Sequence, residues 1–311
     1  MPTPSSRRLA LMAGVSLALL AGCGNSSDSG SGGSGAQSPV ASAAIPVVAS
    51  TNVYGDIARQ IGGRKADVTA IISDPDQDPH SYEADTQNQL ALSKARVVIE
   101  NGGGYDDFVD RMLSSSGSSA TVINAVKVSG RTAPEGGELN EHVWYDFPTV
   151  ARVADRIAAA LGEADPADAA TFTGNATAFK AKLRLLEEKE VAIRKDHGGE
   201  GVAITEPVPL YMLDAAGLVN RTPPRFSEAI EEGDDVSPQV LRATLAVFSG
   251  KEVEALVYNE QTSGPQTEKA EAAAEAAGIP VVPVTETLPP GKDYLGWMTG
   301  TVGALASALD K

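Results

Sequence analysis

The chain has 311 residues, which is enough for two compact domains at about 100–200 residues each. Its formal net charge of −16 argues against nucleic acid as a partner, because an acidic protein repels polyanions. The single cysteine, Cys23, excludes an intrachain disulfide and a thiolate metal cluster.

The N-terminus predicts export and anchoring. Arg7-Arg8 precedes an apolar run over residues 9–20, shorter than the roughly 20 residues that a membrane-spanning helix needs. The run ends in Leu20-Ala21-Gly22-Cys23, which looks like a bacterial lipobox with Cys23 as the lipidated residue. We therefore predict a lipoprotein signal peptide over residues 1–22 and a lipid anchor on the outer face of the cell membrane. A plain signal peptide is the alternative, and the choice between Sec and twin-arginine export stays open.

A tether and a first lobe follow. Residues 23–44 are rich in glycine and serine and predict a flexible tether. Residues 45–165 alternate apolar strand patterns with helical patterns, which predicts a mostly parallel sheet flanked by helices. The predicted strands cover 45–50, 68–72, 95–100 and 121–123, and the predicted helices cover 54–61, 86–93, 105–113 and 147–161.

One long helix is predicted over residues 166–197. Its apolar residues repeat at helical spacing among charged residues, which is typical of an amphipathic helix. These residues are Ala176, Phe179, Leu183, Leu186 and Ile193. His197 stands beside two glycines, so a helix-end role is favoured over metal ligation. Such a helix would act as a rigid strut between two lobes.

The second lobe, residues 198–311, repeats the alternating pattern. Its predicted strands cover 201–205, 253–258 and 279–284, and its predicted helices cover 209–216, 238–248, 266–277 and 294–309. The fold class predicted for the whole chain is α/β. It has two lobes, each a mostly parallel sheet flanked by helices, joined by a long rigid helix.

Four side chains stand where a metal site is expected. His80 lies just past a predicted strand, and His142 lies just before a predicted helix. Glu206 and Glu286 each follow a strand of the second lobe. Ligands of α/β sheets bind at the carboxyl ends of the strands, so we expect all four to face one cleft.

The segments around these residues resemble a known family, the metal-specific solute-binding proteins of bacterial ABC importers (the zinc and manganese group, cluster A-I). Asp78-Pro79-His80-Ser81-Tyr82-Glu83 and His142-Val143-Trp144-Tyr145-Asp146 resemble its first two ligand segments. Thr205-Glu206-Pro207 occupies the third, where zinc-type members often carry histidine and manganese-type members glutamate. Thr285-Glu286-Thr287 occupies the fourth, which usually carries aspartate. The stretch 114–141 lacks the histidine-rich loop of many zinc-type members.

The resemblance implies an exported binding protein rather than an enzyme. It would capture one divalent ion between its lobes and deliver it, as a monomer, to the permease of an ABC importer. Two imidazoles and two carboxylates leave Mn²⁺, Zn²⁺ and Fe²⁺ open. We expect Asp146 to hold a ligating histidine in its tautomer. Three other carboxylates could compete for a place in the site: Asp85, Glu228 and Glu260.

Three other functions stay open at this point. The first is a metal-dependent surface adhesin, which no feature of the sequence separates from a transport protein. The second is a metallohydrolase, which usually carries a compact His-Glu-x-x-His motif, and this chain has none. The third is a binder of an organic metal chelate, for which a basic or aromatic pocket would be expected.

Overall fold

The structure is a computed structural model. It describes residues 43–74, 77, 79–80, 82–83, 85–135 and 137–311. The predicted signal peptide, the lipobox cysteine Cys23 and nearly all of the predicted tether lie outside the described residues, as do Asp78 and Ser81.

Two parallel sheets form the centres of the two lobes. The first contains β1 (Ile45–Thr51), β2 (Ala66–Ile72), β3 (Val97–Glu100) and β4 (Thr121–Asn124), in the order β2-β1-β3-β4. The second contains β5 (Gly201–Ile204), β6 (Val219–Asn220), β7 (Ala255–Asn259) and β8 (Val281–Val284), in the order β6-β5-β7-β8. Every pairing within them is parallel. The predicted fold class is therefore confirmed, although the two-residue β6 was not predicted.

Helices cover both sheets. They are α1 (Asn52–Gly62), α2 (Thr86–Lys94), α3 (Phe108–Ser116), α4 (Ala125–Ser129), α5 (Phe147–Ala164), α6 (Ala169–His197), α7 (Leu210–Ala215), α8 (Pro224–Glu231), α9 (Pro238–Ser249), α10 (Pro265–Ala276) and α11 (Tyr294–Leu309). Short 3-10 turns occupy Gly63–Lys65 and Val143–Tyr145. The sequence patterns missed α4 and α8. Among the described residues, no helix combines the length and the apolar character needed to cross a membrane.

Helix α3 begins three residues later than predicted. Three successive glycines adopt positive φ, with values of 76° at Gly102, 78° at Gly103 and 105° at Gly104. This conformation suits glycine and keeps the chain in a turn. The Asp106 carboxylate closes that turn by accepting the backbone N–H groups of Asn101 at 2.6 Å and Gly102 at 2.7 Å. Tyr105 therefore lies in the turn rather than in the helix.

The long helix α6 is amphipathic, as predicted. All five of the apolar residues that predicted its buried face are buried, together with Phe172 and Glu190. This face packs against α5, α1 and α11, so the helix contacts elements of both lobes. At its C-terminal end the His197 ring lies 3.2 Å from both Glu200 and Asp310, which fits the expected helix-end role.

The largest hydrophobic cluster continues from one lobe into the other. It contains Trp144 of the first lobe, Phe179 of α6 and Tyr294 of α11. Hydrogen bonds cross the same boundary: the Tyr294 hydroxyl donates to the Trp144 carbonyl at 2.6 Å, and the Tyr145 hydroxyl to the Thr285 carbonyl at 2.8 Å. The Asn52 side chain pairs with both backbone groups of Leu288 at 2.9 Å. The lobes therefore share one core below the cleft.

Candidate metal centre

His142 is the most deeply buried of the predicted ligands. Its side chain is 1% exposed and contacts the rings of Tyr105 and Trp144 at centroid distances of 5.9 and 5.0 Å, and those two rings also contact each other. It immediately precedes the 3-10 turn Val143–Tyr145, whose three side chains are all buried. The aromatic packing and the turn together fix the direction of the imidazole.

A neighbouring amide sets the tautomer of His142. The Asn140 side-chain oxygen accepts the backbone N–H of His142 at 3.0 Å and lies 2.8 Å from the ring Nδ1. An amide oxygen can only accept, so Nδ1 carries the proton and Nε2 keeps its lone pair. Burial, with a smaller contribution from the charge of His80, lowers the pKa of His142 to about 3. The ring is therefore neutral at physiological pH, which is the form that binds metal.

Nε2 of His142 points into the cleft without a hydrogen-bond partner among the described residues. Two carboxylates face it: Glu231 Oε1 lies 3.5 Å away and Glu286 Oε2 lies 4.0 Å away. A buried, uncharged nitrogen that faces carboxylate oxygens is a suitable donor for a divalent cation.

His80 lies on the more exposed side of the cleft. Its side chain is 33% exposed, and its ring meets the edge of the Tyr105 ring at a centroid distance of 5.1 Å. Nε2 of His80 lies 3.8 Å from Glu141 Oε1. Tyr105 therefore contacts both histidines, and the buried turn after β3 supports both.

The second lobe contributes Glu206 and Glu286, and one amide joins them. Glu206 follows β5 and Glu286 follows β8, while Asn259 is the last residue of β7 between those strands. The Asn259 amide donates to the Glu206 carboxylate and, at 2.9 Å, to Glu286 Oε1. Gln261 Oε1 accepts the backbone N–H of Glu286 at 2.6 Å. The carboxyl ends of three parallel strands therefore bring the two carboxylates together.

The four residues predicted from the sequence thus converge on one cleft. His142 faces Glu286 directly, Glu286 shares a donor with Glu206, and His80 reaches the same group through Tyr105 and Glu141. Their role as ligands stays a prediction.

Two further carboxylates at the site were missed by the sequence analysis. Glu141 and Glu231 each bring an oxygen into a group with His80 whose ligand atoms all lie within 4.8 Å of one another. Burial, reinforced by the charge of Glu286, raises the pKa of Glu141 to about 7. Burial, together with the charges of Glu141, Glu206 and Glu286, raises the pKa of Glu231 to about 9. Without a bound cation these two carboxyl groups therefore hold protons near neutral pH, and each can supply a negative charge once a divalent cation favours its ionised form.

The expected contact of Asp146 with a histidine is wrong. Its carboxylate lies 3.1 Å from the Arg131 guanidinium and accepts the Thr149 hydroxyl at the start of α5. Asn140 orients His142 instead. The reason is geometric: Asp146 lies beyond the 3-10 turn, so its side chain points toward α5 rather than into the cleft.

The structure gives the three competing carboxylates positions outside the group of facing donor atoms. Asp85 caps α2 by accepting the backbone N–H of Asn88 at 2.8 Å, and Glu228 and Glu260 are exposed.

Asn140 and Asn259 could have been suspected from sequence, since one stands two residues before a predicted ligand and the other ends a central strand. Glu141 adjoins His142, whereas Glu231 belongs to a helix that was not predicted.

Comparisons with known proteins agree on one family. The family model "ZnuA: Zinc-uptake complex component A periplasmic" matches residues 47–308. The manganese-binding lipoprotein MntA of Bacillus subtilis (strain 168) is 31% identical over 194 residues, covering 60% of this chain and 60% of MntA. A second MntA, from Halalkalibacterium halodurans, is 28% identical over 144 residues, and the match spans 48% of its length.

A solved structure shares the fold. The periplasmic zinc-binding protein TroA of Treponema pallidum superimposes with a TM-score of 0.72 at 19% identity, and the match covers 85% of this chain and 99% of TroA. At this level of identity the likeness concerns the fold alone.

Proposed function

Because the chain belongs to the ZnuA family of zinc-uptake components, we propose that it captures a divalent transition-metal ion between its two lobes and delivers it to the permease of an ABC importer. The observation that carries this proposal is the neutral Nε2 of His142, which has no hydrogen-bond partner among the described residues and faces the partly buried carboxyl groups of Glu231 and Glu286. Water would solvate Nε2 of His142 poorly in this buried position, and ionised carboxylates around it would repel one another. A divalent cation would bind the nitrogen and neutralise the carboxylates.

The proposed ligands are His80, His142, Glu206 and Glu286, and the ion is cargo rather than a resident cofactor. Mn²⁺, Zn²⁺ and Fe²⁺ all suit two imidazoles and two carboxylates. We include in the proposal a signal peptide over 1–22, a lipid anchor at Cys23, a tether over 23–44, lobes over 45–165 and 198–311, and a connecting helix over 166–197. The chain would act as a monomer on the outer face of the cell membrane.

Two relatives support a transport role in particular. Both MntA proteins are named as manganese-binding lipoproteins, and the family is described as a component of a zinc-uptake complex. The adhesin alternative is not favoured by these comparisons. A metallohydrolase would need a general base beside an open coordination position, and the family is one of transport proteins rather than enzymes.

The test combines metal content with uptake. The full-length chain, purified in detergent and stripped of metal, should bind one equivalent of Mn²⁺ or Zn²⁺ in a chelator-competition titration. Cells that lack the chain should accumulate less of the same metal, and expression of the chain should restore uptake. Stoichiometric binding without any change in cellular metal would contradict delivery, and absence of binding would contradict capture.

Metal affinity is expected to rise with pH. Before metal binds, the raised pKa values of about 7 at Glu141 and about 9 at Glu231 keep protons on these carboxyls near neutral pH. A divalent charge in the cleft favours the ionised forms, so binding releases protons and becomes tighter as pH rises. His142, with a pKa of about 3, releases none in this range.

Between pH 6 and pH 8 we expect the affinity for the metal to rise about tenfold per pH unit for each proton that binding releases. Calorimetric titrations in buffers of different ionisation enthalpy would count the protons directly. An affinity that is constant across this range, with no proton released, would contradict the electrostatic description of the cleft.

A further inference from the structure

Glu231 is the last residue of α8, and its carboxylate lies at the centre of the donor groups. Oε1 lies 3.5 Å from Nε2 of His142. Glu231 also forms, with His80 and Glu141, the group whose ligand atoms lie within 4.8 Å of one another. It is therefore the residue that joins the buried histidine to the more exposed one.

The spacings in this group fit a shared cation better than hydrogen bonds. Hydrogen bonds between nitrogen and oxygen span about 2.7–3.2 Å. Two donors bound to one cation at about 2.1 Å each lie about 3.0–3.5 Å apart when adjacent and about 4.2 Å apart when opposite. The observed nitrogen–oxygen distances are 3.5 Å from His142 to Glu231, 3.8 Å from His80 to Glu141 and 4.0 Å from His142 to Glu286. All three are longer than a hydrogen bond and shorter than the separation of opposite donors.

Two facing atoms of the group also lack other partners. Nε2 of His142 and Oε1 of Glu231 are both buried and have no hydrogen-bond partner within the described part of the chain. Leaving a buried polar atom unpaired costs about 1–3 kcal/mol. Two such atoms aimed at each other, too far apart for a hydrogen bond, indicate that a third group belongs between them.

We propose that Glu231 is a direct ligand of the captured cation, which rests on the proposed function, and that it shifts the preference of the site toward Mn²⁺. Zn²⁺ is satisfied by four ligands in tetrahedral geometry, so an additional carboxylate adds little to its binding. Mn²⁺ favours oxygen donors and binds more of them. When a cation is bound, the ionised carboxylate of Glu141 beside His80 would supply further negative charge next to the ion.

The test compares two metals in two variants of the full-length chain. Glu231→Gln removes the charge while keeping the shape, and Glu254→Gln is the matched control, because Glu254 is exposed and precedes β7 at the opposite end of the strand from Asn259. Chelator-competition titrations give Kd for Mn²⁺ and for Zn²⁺. We expect Glu231→Gln to weaken Mn²⁺ binding by at least about tenfold and Zn²⁺ binding by less, while Glu254→Gln leaves both affinities unchanged.

A measurement on the unaltered chain keeps the inference testable if the variant fails to fold. Co²⁺ bound to the wild-type chain should give the weak d–d absorption of five- or six-coordinate cobalt. The intense absorption of four-coordinate cobalt would overturn the inference. Equal loss of both metals in Glu231→Gln, or no loss, would also overturn it. A wild-type chain that binds neither Mn²⁺ nor Zn²⁺ would instead overturn the proposed function, so the two failures are distinguishable.

Discussion

Replacing His142 by alanine is expected to weaken Mn²⁺ and Zn²⁺ binding by more than about 100-fold, beyond the usual cost of losing an outer-shell partner. The substitution removes the one buried nitrogen that faces both Glu231 and Glu286. It also leaves these two carboxyl groups facing an alanine methyl group, which cannot bind a metal ion. Chelator-competition titration of the full-length chain would measure the loss.

The matched control is His197→Ala. His197 lies at the end of α6 and pairs with Glu200 and Asp310, away from the cleft. Its replacement should leave metal affinity unchanged. If His142→Ala bound metal as tightly as the wild type, with a cooperative unfolding transition showing an intact fold, the proposed site would be wrong.

Replacing Trp144 by alanine is expected to lower the free energy of unfolding by about 3–5 kcal/mol. The side chain is 1% exposed and is in contact with Tyr105, His142 and Tyr145. Its removal leaves a cavity beneath the site. Metal affinity should fall as well, because the ring that restrains the His142 imidazole is lost. Urea unfolding monitored by circular dichroism would give the stability change.

The substitution Trp144→Phe tests whether Trp144 stabilises the protein through the volume that it fills or through the polar Nε1 of its indole ring. The indole Nε1 has no hydrogen-bond partner among the residues that the structure describes, so phenylalanine sacrifices volume but no such bond. We expect a clearly smaller loss of stability than for alanine and nearly normal metal affinity. Equal losses for the two substitutions would show that the packing argument is wrong.

The fold could be predicted from the sequence because its elements carry strong local patterns. The buried positions of α6 repeat at helical spacing, and the apolar runs of β1, β3 and β8 are bounded by turns. Elements with weak patterns were missed. Strand β6 has only two residues, and α8 is too short for a long repeat, although Pro224 at its start and the Phe226–Ile230 spacing indicate a helix.

The site could be predicted only in part. His80, His142, Glu206 and Glu286 lie at strand ends or a helix start, so topology alone brings them near one another. Glu231 follows no strand, and its position depends on how α8 packs in the second lobe, which no local pattern specifies. The wrong prediction for Asp146 has the same origin, since the direction of a side chain beyond a turn depends on the turn.

The core shared by the two lobes has a consequence for the kinetics of the cargo. Separating the lobes would break the Tyr294–Trp144, Tyr145–Thr285 and Asn52–Leu288 hydrogen bonds and expose the apolar surface around them. We expect these contacts to resist any separation of the lobes that would widen the exit for a bound ion. We therefore expect slow spontaneous dissociation, so that engagement of the permease, rather than dilution of the metal outside the cell, would govern the moment of release.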